Sequence, residues 1–266
     1  MMARRALGTG CALVCLAVGQ VVLAADARAV KGAYECAVRQ HEMLTTYHLY
    51  AYEPKDRIAG ADFKGARQVA QDCAGKVAEG LVAAGLAAKA AELSALRDKV
   101  ANTSAYNADS IARTGTQENA VLAEMVQHEL ALVAELVQAA KDLQQAGKVK
   151  DVPEARQARE LAVLIMYANA RYVERTTEVY HRDDSAEPTI DQLAARFNSG
   201  LSALRANRKL TAEQHKMLDN VNTRFRFING SLNNYTQNAV PGTVNRHARS
   251  MVNLLNQVAD GLDGIK

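Results

Sequence analysis

Apolar residues recur along most of this chain at intervals of three and four. Leu122, Met125, Val126, Leu130, Val133, Leu136, Val137 and Ala140 trace one such stripe, with Glu129 set inside it. That spacing puts one side chain per turn on the same face of an α-helix. Polar residues and prolines mark where helices start. Thr189-Ile-Asp-Gln192 and Thr211-Ala-Glu-Gln214 read as capping boxes, in which hydroxyl and amide each satisfy a backbone group of the first turn. Asp151-Val-Pro-Glu154 places Pro153 in a first turn and a carboxylate at the positive end of a helix, and Pro241 opens another. Breaks fall at 53–61, near Gly85, at 114–116, 147–152 and 182–188, and near 207–210. The pattern predicts an all-α fold with helices over about 29–53, 62–84, 88–113, 117–146, 154–181, 189–206, 211–238 and 241–263.

The order of helices repeats, and so do some residues. At an offset of 121, Asp98 meets Asp219, Val100 meets Val221 and Ser110 meets Ser231, while Leu96, Tyr106 and Ile111 meet Met217, Phe227 and Leu232. At 129, Asp62, Ala66 and Arg67 meet Asp191, Ala195 and Arg196; at 130, Thr46 and Tyr50 meet Thr176 and Tyr180. A duplicated unit of four amphipathic helices buries its stripes in a bundle. The expected architecture is two tandem four-helix bundles, over 25–148 and 149–266, with one elongated bundle as the alternative.

Residues 1–24 change the picture from domain to destination. Arg4 and Arg5 precede an apolar run from Cys11 to Leu23, and small residues follow at Ala24 and Ala25. This is the pattern of a secretory signal, with cleavage expected after Ala24 or, second, after Ala27. Loss of that segment removes two arginines from a formal net charge of +3, and no basic block remains. Nucleic acid is therefore not an expected partner. Cys36 and Cys73 are the cysteines left in the exported part. In an oxidising compartment they can form a disulfide closing a helical hairpin with its turn near Glu53-Pro54; two separate buried thiols are the other reading.

Enzyme signatures are missing: there is no Gly-x-Ser-x-Gly, no His-Glu-x-x-His and no phosphate-cradling glycine loop. No catalytic residue and no cofactor is expected. Six histidines with Met43 and Met125 leave a metal or haem carrier as an alternative, although no Glu-x-x-His motif recurs on two helices. Tyrosines crowd two helix ends, Tyr47, Tyr50 and Tyr52 in one copy and Tyr167, Tyr172 and Tyr180 in the other. Arg171 and Arg175 are four apart, on one helix face, where two guanidinium forks can hold a small anion. Pairing with Glu174 or Glu178 is the plainer explanation. His41 falls opposite Arg171 in the first copy, with Arg39 nearby. Arg224-Phe-Arg-Phe-Ile228 reads as a solvated face alternating with core phenylalanines.

With these helices in place, the chain resembles the PilJ-type periplasmic sensor domain of type IV pilus chemotaxis transducers, related to the input domain of nitrate/nitrite sensors. Members open on a helix with an Arg-Met-Leu-Ser-Gln-Arg-like run and occur as tandem pairs. Glu42-Met-Leu-Thr-Thr-Tyr47 and Tyr167-Ala-Asn-Ala-Arg171 occupy that place here, and Arg171 is the arginine of the run that the second copy keeps. The resemblance implies a free-standing, soluble periplasmic sensor-like module. It would recognise a small molecule or anion, or a membrane partner, without catalysis, and work as a homodimer. Tyr167, Arg171 and Arg175, with Arg39, His41 and Tyr47 in the first copy, are its candidate ligand-binding residues. An envelope adaptor that docks a membrane partner through helix faces is the competing expectation.

Overall fold

The computed structural model describes residues 11–177, 183–235, 237 and 239–265, with side chains from residue 27 onward. Among these residues the chain forms eight helices and no strand: α1 (Cys11–Tyr52), α2 (Arg57–Ala83), α3 (Ala87–Thr114), α4 (Asn119–Ala146), α5 (Pro153–Thr177), α6 (Ile190–Arg205), α7 (Ala212–Asn233) and α8 (Pro241–Asp263). Residues 1–10 of the expected signal, and Tyr180 and His181, lie outside the described residues. Between Cys11 and Ala24 the backbone continues α1 without a break, so this helix starts well before residue 29.

Local chemistry explains most boundaries. Both capping boxes form, at Thr189 with Gln192 and at Thr211 with Gln214. Pro153 and Pro241 each open a helix, where the missing N–H costs nothing. The break after Tyr52 is shorter than the glycine and proline content suggested. Asp56 accepts a hydrogen bond from the Ile58 amide at 2.8 Å and caps α2 five residues earlier than expected. Gly60 is then carried inside the helix. Gly115 ends α3 in the left-handed conformation (φ 75°), which a residue without Cβ adopts at no steric cost.

α1 packs against α2 and α4, and α3 closes against the same two. α5 packs against α6 and α8, and α7 closes against those. α1 and α5 also pack on each other. Two groups of buried apolar side chains follow this division. One holds Leu44, Leu81, Leu93, Leu132 and Leu136; the other holds Ile165, Phe197, Leu218, Leu232 and Leu255. Positions paired by the 121-residue offset share their environments: Val100 and Val221 are buried, as are Ile111 and Leu232, while Tyr106 and Phe227 are both exposed. The Arg224–Ile228 segment departs from its expectation at one residue. Phe225 is core, but Phe227 is 67% exposed and lies against His247, because consecutive odd positions on a helix diverge by about 160°.

Cys36 and Cys73 are disulfide-bonded, with Cα atoms 5.5 Å apart, and staple α1 to α2. Such bonds persist in oxidising compartments, so the pair is compatible with an extracytoplasmic location. Among the described residues no helix is long and apolar enough to cross a membrane. The bond closes a separation of 37 residues. A Cys36→Ala/Cys73→Ala variant is therefore expected to lose about 3–4 kcal/mol, measured by urea unfolding, with helix content unchanged. A loss below about 1 kcal/mol would show that packing alone holds this hairpin.

Candidate functional site

The contact between α1 and α5 is unusual for a helical core because much of it is polar. His41, on α1, is buried, with Nδ1 2.7 Å from Oε1 of Glu129 on α4. Glu129 is fully buried; the contact is a close approach rather than a well-directed hydrogen bond, and neither carboxylate oxygen, nor His41 Nδ1, has a hydrogen-bond partner among the described residues. The His41 ring stacks on Tyr167 of α5, with centroids 5.0 Å apart and planes 19° from parallel. Nearby, Asn169 donates to the Thr45 hydroxyl across the seam at 3.2 Å and to Asn245 of α8 at 3.1 Å.

Tyr167 leads outward from this pair to the arginines. Its hydroxyl donates to Glu187 at 2.9 Å, in the segment between α5 and α6. Burial, and then the Glu187 charge, raise the phenol well above its ordinary pKa, so it stays a donor. Arg171 follows one turn later and is buried. Its guanidinium donates to Glu174 at 2.5 Å and to Asp184, and its Nε lies 3.5 Å from Glu187. Arg175, partly exposed, donates to the same Asp184 oxygen. Burial pushes the Asp184 carboxyl up, but the hydrogen bonds and charges of the two arginines outweigh it and hold it below the usual carboxylate range. Beside this fork lies a cavity of about 110 Å³, which Ser185, Thr189 and Tyr235 also line.

Four of the six candidate residues therefore meet. His41, Tyr167, Arg171 and Arg175 form one continuous network through Glu187 and Asp184. The guanidiniums face carboxylates of their own chain: Arg171 pairs with Glu174, as the plainer reading had it, and Asp184 and Glu187 add partners it did not name, while Glu178 lies outside the described residues. Two residues stand apart. Tyr47 is buried against Phe63 and donates to Gln117 at 3.1 Å. Arg39 sits on the opposite, open face of α1 and pairs with Glu42 at 2.5 Å, as Arg249 of α8 does at 2.8 Å. Sequence reasoning missed Glu129, Asp184 and Glu187. Glu129 carried a signal, a carboxylate inside an apolar stripe; the other two sit in a polar connection where acids are common.

The open face of α1 is the floor of a groove walled by α2 and α8. Cavities of about 400, 500 and 370 Å³ succeed one another along it, and Arg39 lines all three. Exposed Tyr52, Ile58 and Val69 stand at its edge. Among the described residues no group of three histidine, cysteine, aspartate or glutamate side chains is placed to hold a metal ion. No protein-family model, no curated protein and no solved structure matches the chain.

Proposed function

We propose that the chain is an exported, non-catalytic binding module of the periplasm, built as two tandem four-helix units and sensor-like in the manner of PilJ-type domains. Its ligand is a small anion held by Arg171 and Arg175. The division of packing into two sets of four helices, joined through the contact of α1 with α5, supports the tandem reading. So does the shared burial of offset-paired positions.

One observation carries the anion reading: two guanidiniums converge on a single carboxylate, Asp184, beside a small cavity. A carboxylate in that fork has the charge and planar geometry of a small carboxylate or nitrate ion. The cavity volume suits an ion of a few atoms and is below the roughly 300 Å³ at which pockets for larger ligands begin. Asp184 thus fills the place of the ligand, and an external anion gains it when Asp184 is displaced or absent.

Chemical rescue tests this. Asp184→Ala is expected to lower the melting temperature, and millimolar formate, acetate or nitrate to restore it in a saturable way. Methylammonium should not. The rescue is expected to vanish in Asp184→Ala/Arg175→Ala. Absence of rescue, or rescue that survives without Arg175, would overturn the anion site.

A further inference from the structure

The outward face of α2 carries opposite features at equal distances from its middle. Val69, 48% exposed, lies at its middle and borders two of the groove cavities. Two turns before it comes Asp62 and two turns after it Lys76, both exposed and both without an ion pair among the described residues. Three turns before it comes Ile58, 72% exposed, and three turns after it Gly80, where a Cβ would meet only Leu143, at 4.0 Å. Steps of seven and eleven residues return to the same helix face within about 20°, so all five positions form one stripe.

The groove beside this stripe is charged in the same sense. Glu53 and Asp62 lie toward one end, Arg28 and Lys76 toward the other. A surface with opposite charge at its two ends, and a large apolar residue at one end matched by a bare glycine at the other, complements itself when turned end for end.

We infer that α2 is a dimer face on which a second copy of this chain packs antiparallel, about a twofold axis through Val69. In that pairing Asp62 meets Lys76 of the other copy, and Lys76 meets its Asp62. Ile58 of each copy seats over Gly80 of the other, and the two Val69 side chains meet at the axis. The stripe from Ile58 to Gly80 is about 33 Å long at 1.5 Å per residue. Asp72 and Glu79 fall on the flank away from the groove, where they stay in water.

Charge reversal tests the pairing and its register together. Sedimentation velocity of the mature chain, from about 1 to 100 µM, is expected to show a monomer–dimer equilibrium. Asp62→Lys and Lys76→Asp should each weaken the dimer about tenfold, because each puts like charges together twice across the axis. The double variant Asp62→Lys/Lys76→Asp should return to within about threefold of wild type. An equimolar mixture of the two single variants should form a heterodimer. All these residues are exposed, so circular dichroism should be unchanged throughout. A wild type that stays monomeric, a dimer indifferent to both single changes, or a double variant that fails to recover would overturn the inference.

Discussion

Arg171→Ala is expected to destabilise the protein by about 3–5 kcal/mol in urea unfolding, the cost of leaving buried charges without their partner. The Arg171 side chain is 4% exposed and stands among Glu174, Asp184 and Glu187, which are 3%, 14% and 14% exposed. Removing the guanidinium leaves three carboxylates crowded together without their shared cation, although Arg175 still donates to Asp184 and Tyr167 to Glu187. Arg171→Lys should recover only part of the loss, because a single ammonium cannot reproduce the planar fork.

The loss should also depend on pH, in a direction the geometry sets. The native pKa of Asp184 lies below its unfolded value. Its contribution is therefore complete above the ordinary carboxylate range near about pH 4, and disappears as the pH falls through the lowered native value. Wild type should lose more stability than Arg171→Ala on acidification from about pH 5 to pH 2, so the two curves converge. Parallel curves would mean that the alanine variant fails for lack of packing rather than lack of charge.

Glu129→Ala should cost a similar amount, about 3–5 kcal/mol, for a related reason at the other end of the network. Glu129 and His41 are 0% and 2% exposed, and they link α4 to α1 where α1 also meets α5. The truncation opens a cavity and strips a buried imidazole of its partner. Replacing both residues by leucine removes the polar requirement along with the pair, and such replacements are often neutral or stabilising. His41→Leu/Glu129→Leu is thus expected to recover more than half of the loss. A double variant as unstable as the sum of the two single leucine variants would show that His41 and Glu129 act independently.

Loss of Arg171 would be visible in stability whether or not an anion binds. The anion reading is tested at Asp184, where the arginines stay in place. The dimer reading lies on a different face of the molecule and on different residues.

The sequence by itself determined the class of fold and most element boundaries. Apolar residues three and four apart define helical faces whatever those faces meet, and capping at Thr189 and Thr211 is settled within four residues. Apart from buried Ser110, which meets half-buried Ser231, the 121-residue offset paired positions of like burial, because equivalent places on amphipathic helices face equivalent surroundings. Arg171 and Arg175 were legible as a pair for the same local reason.

Tertiary structure alone decided what those arginines face. Asp184 and Glu187 reach them from the segment after α5, and no periodicity runs through such a segment. The partnership of His41 with Glu129 joins α1 to α4 across some 88 positions, and its stacking on Tyr167 depends on how α1 lies on α5. Arg39 is the clearest case. It is two residues from His41 in sequence, yet two positions along a helix are about 200° around it, so one faces the buried seam and the other the open groove.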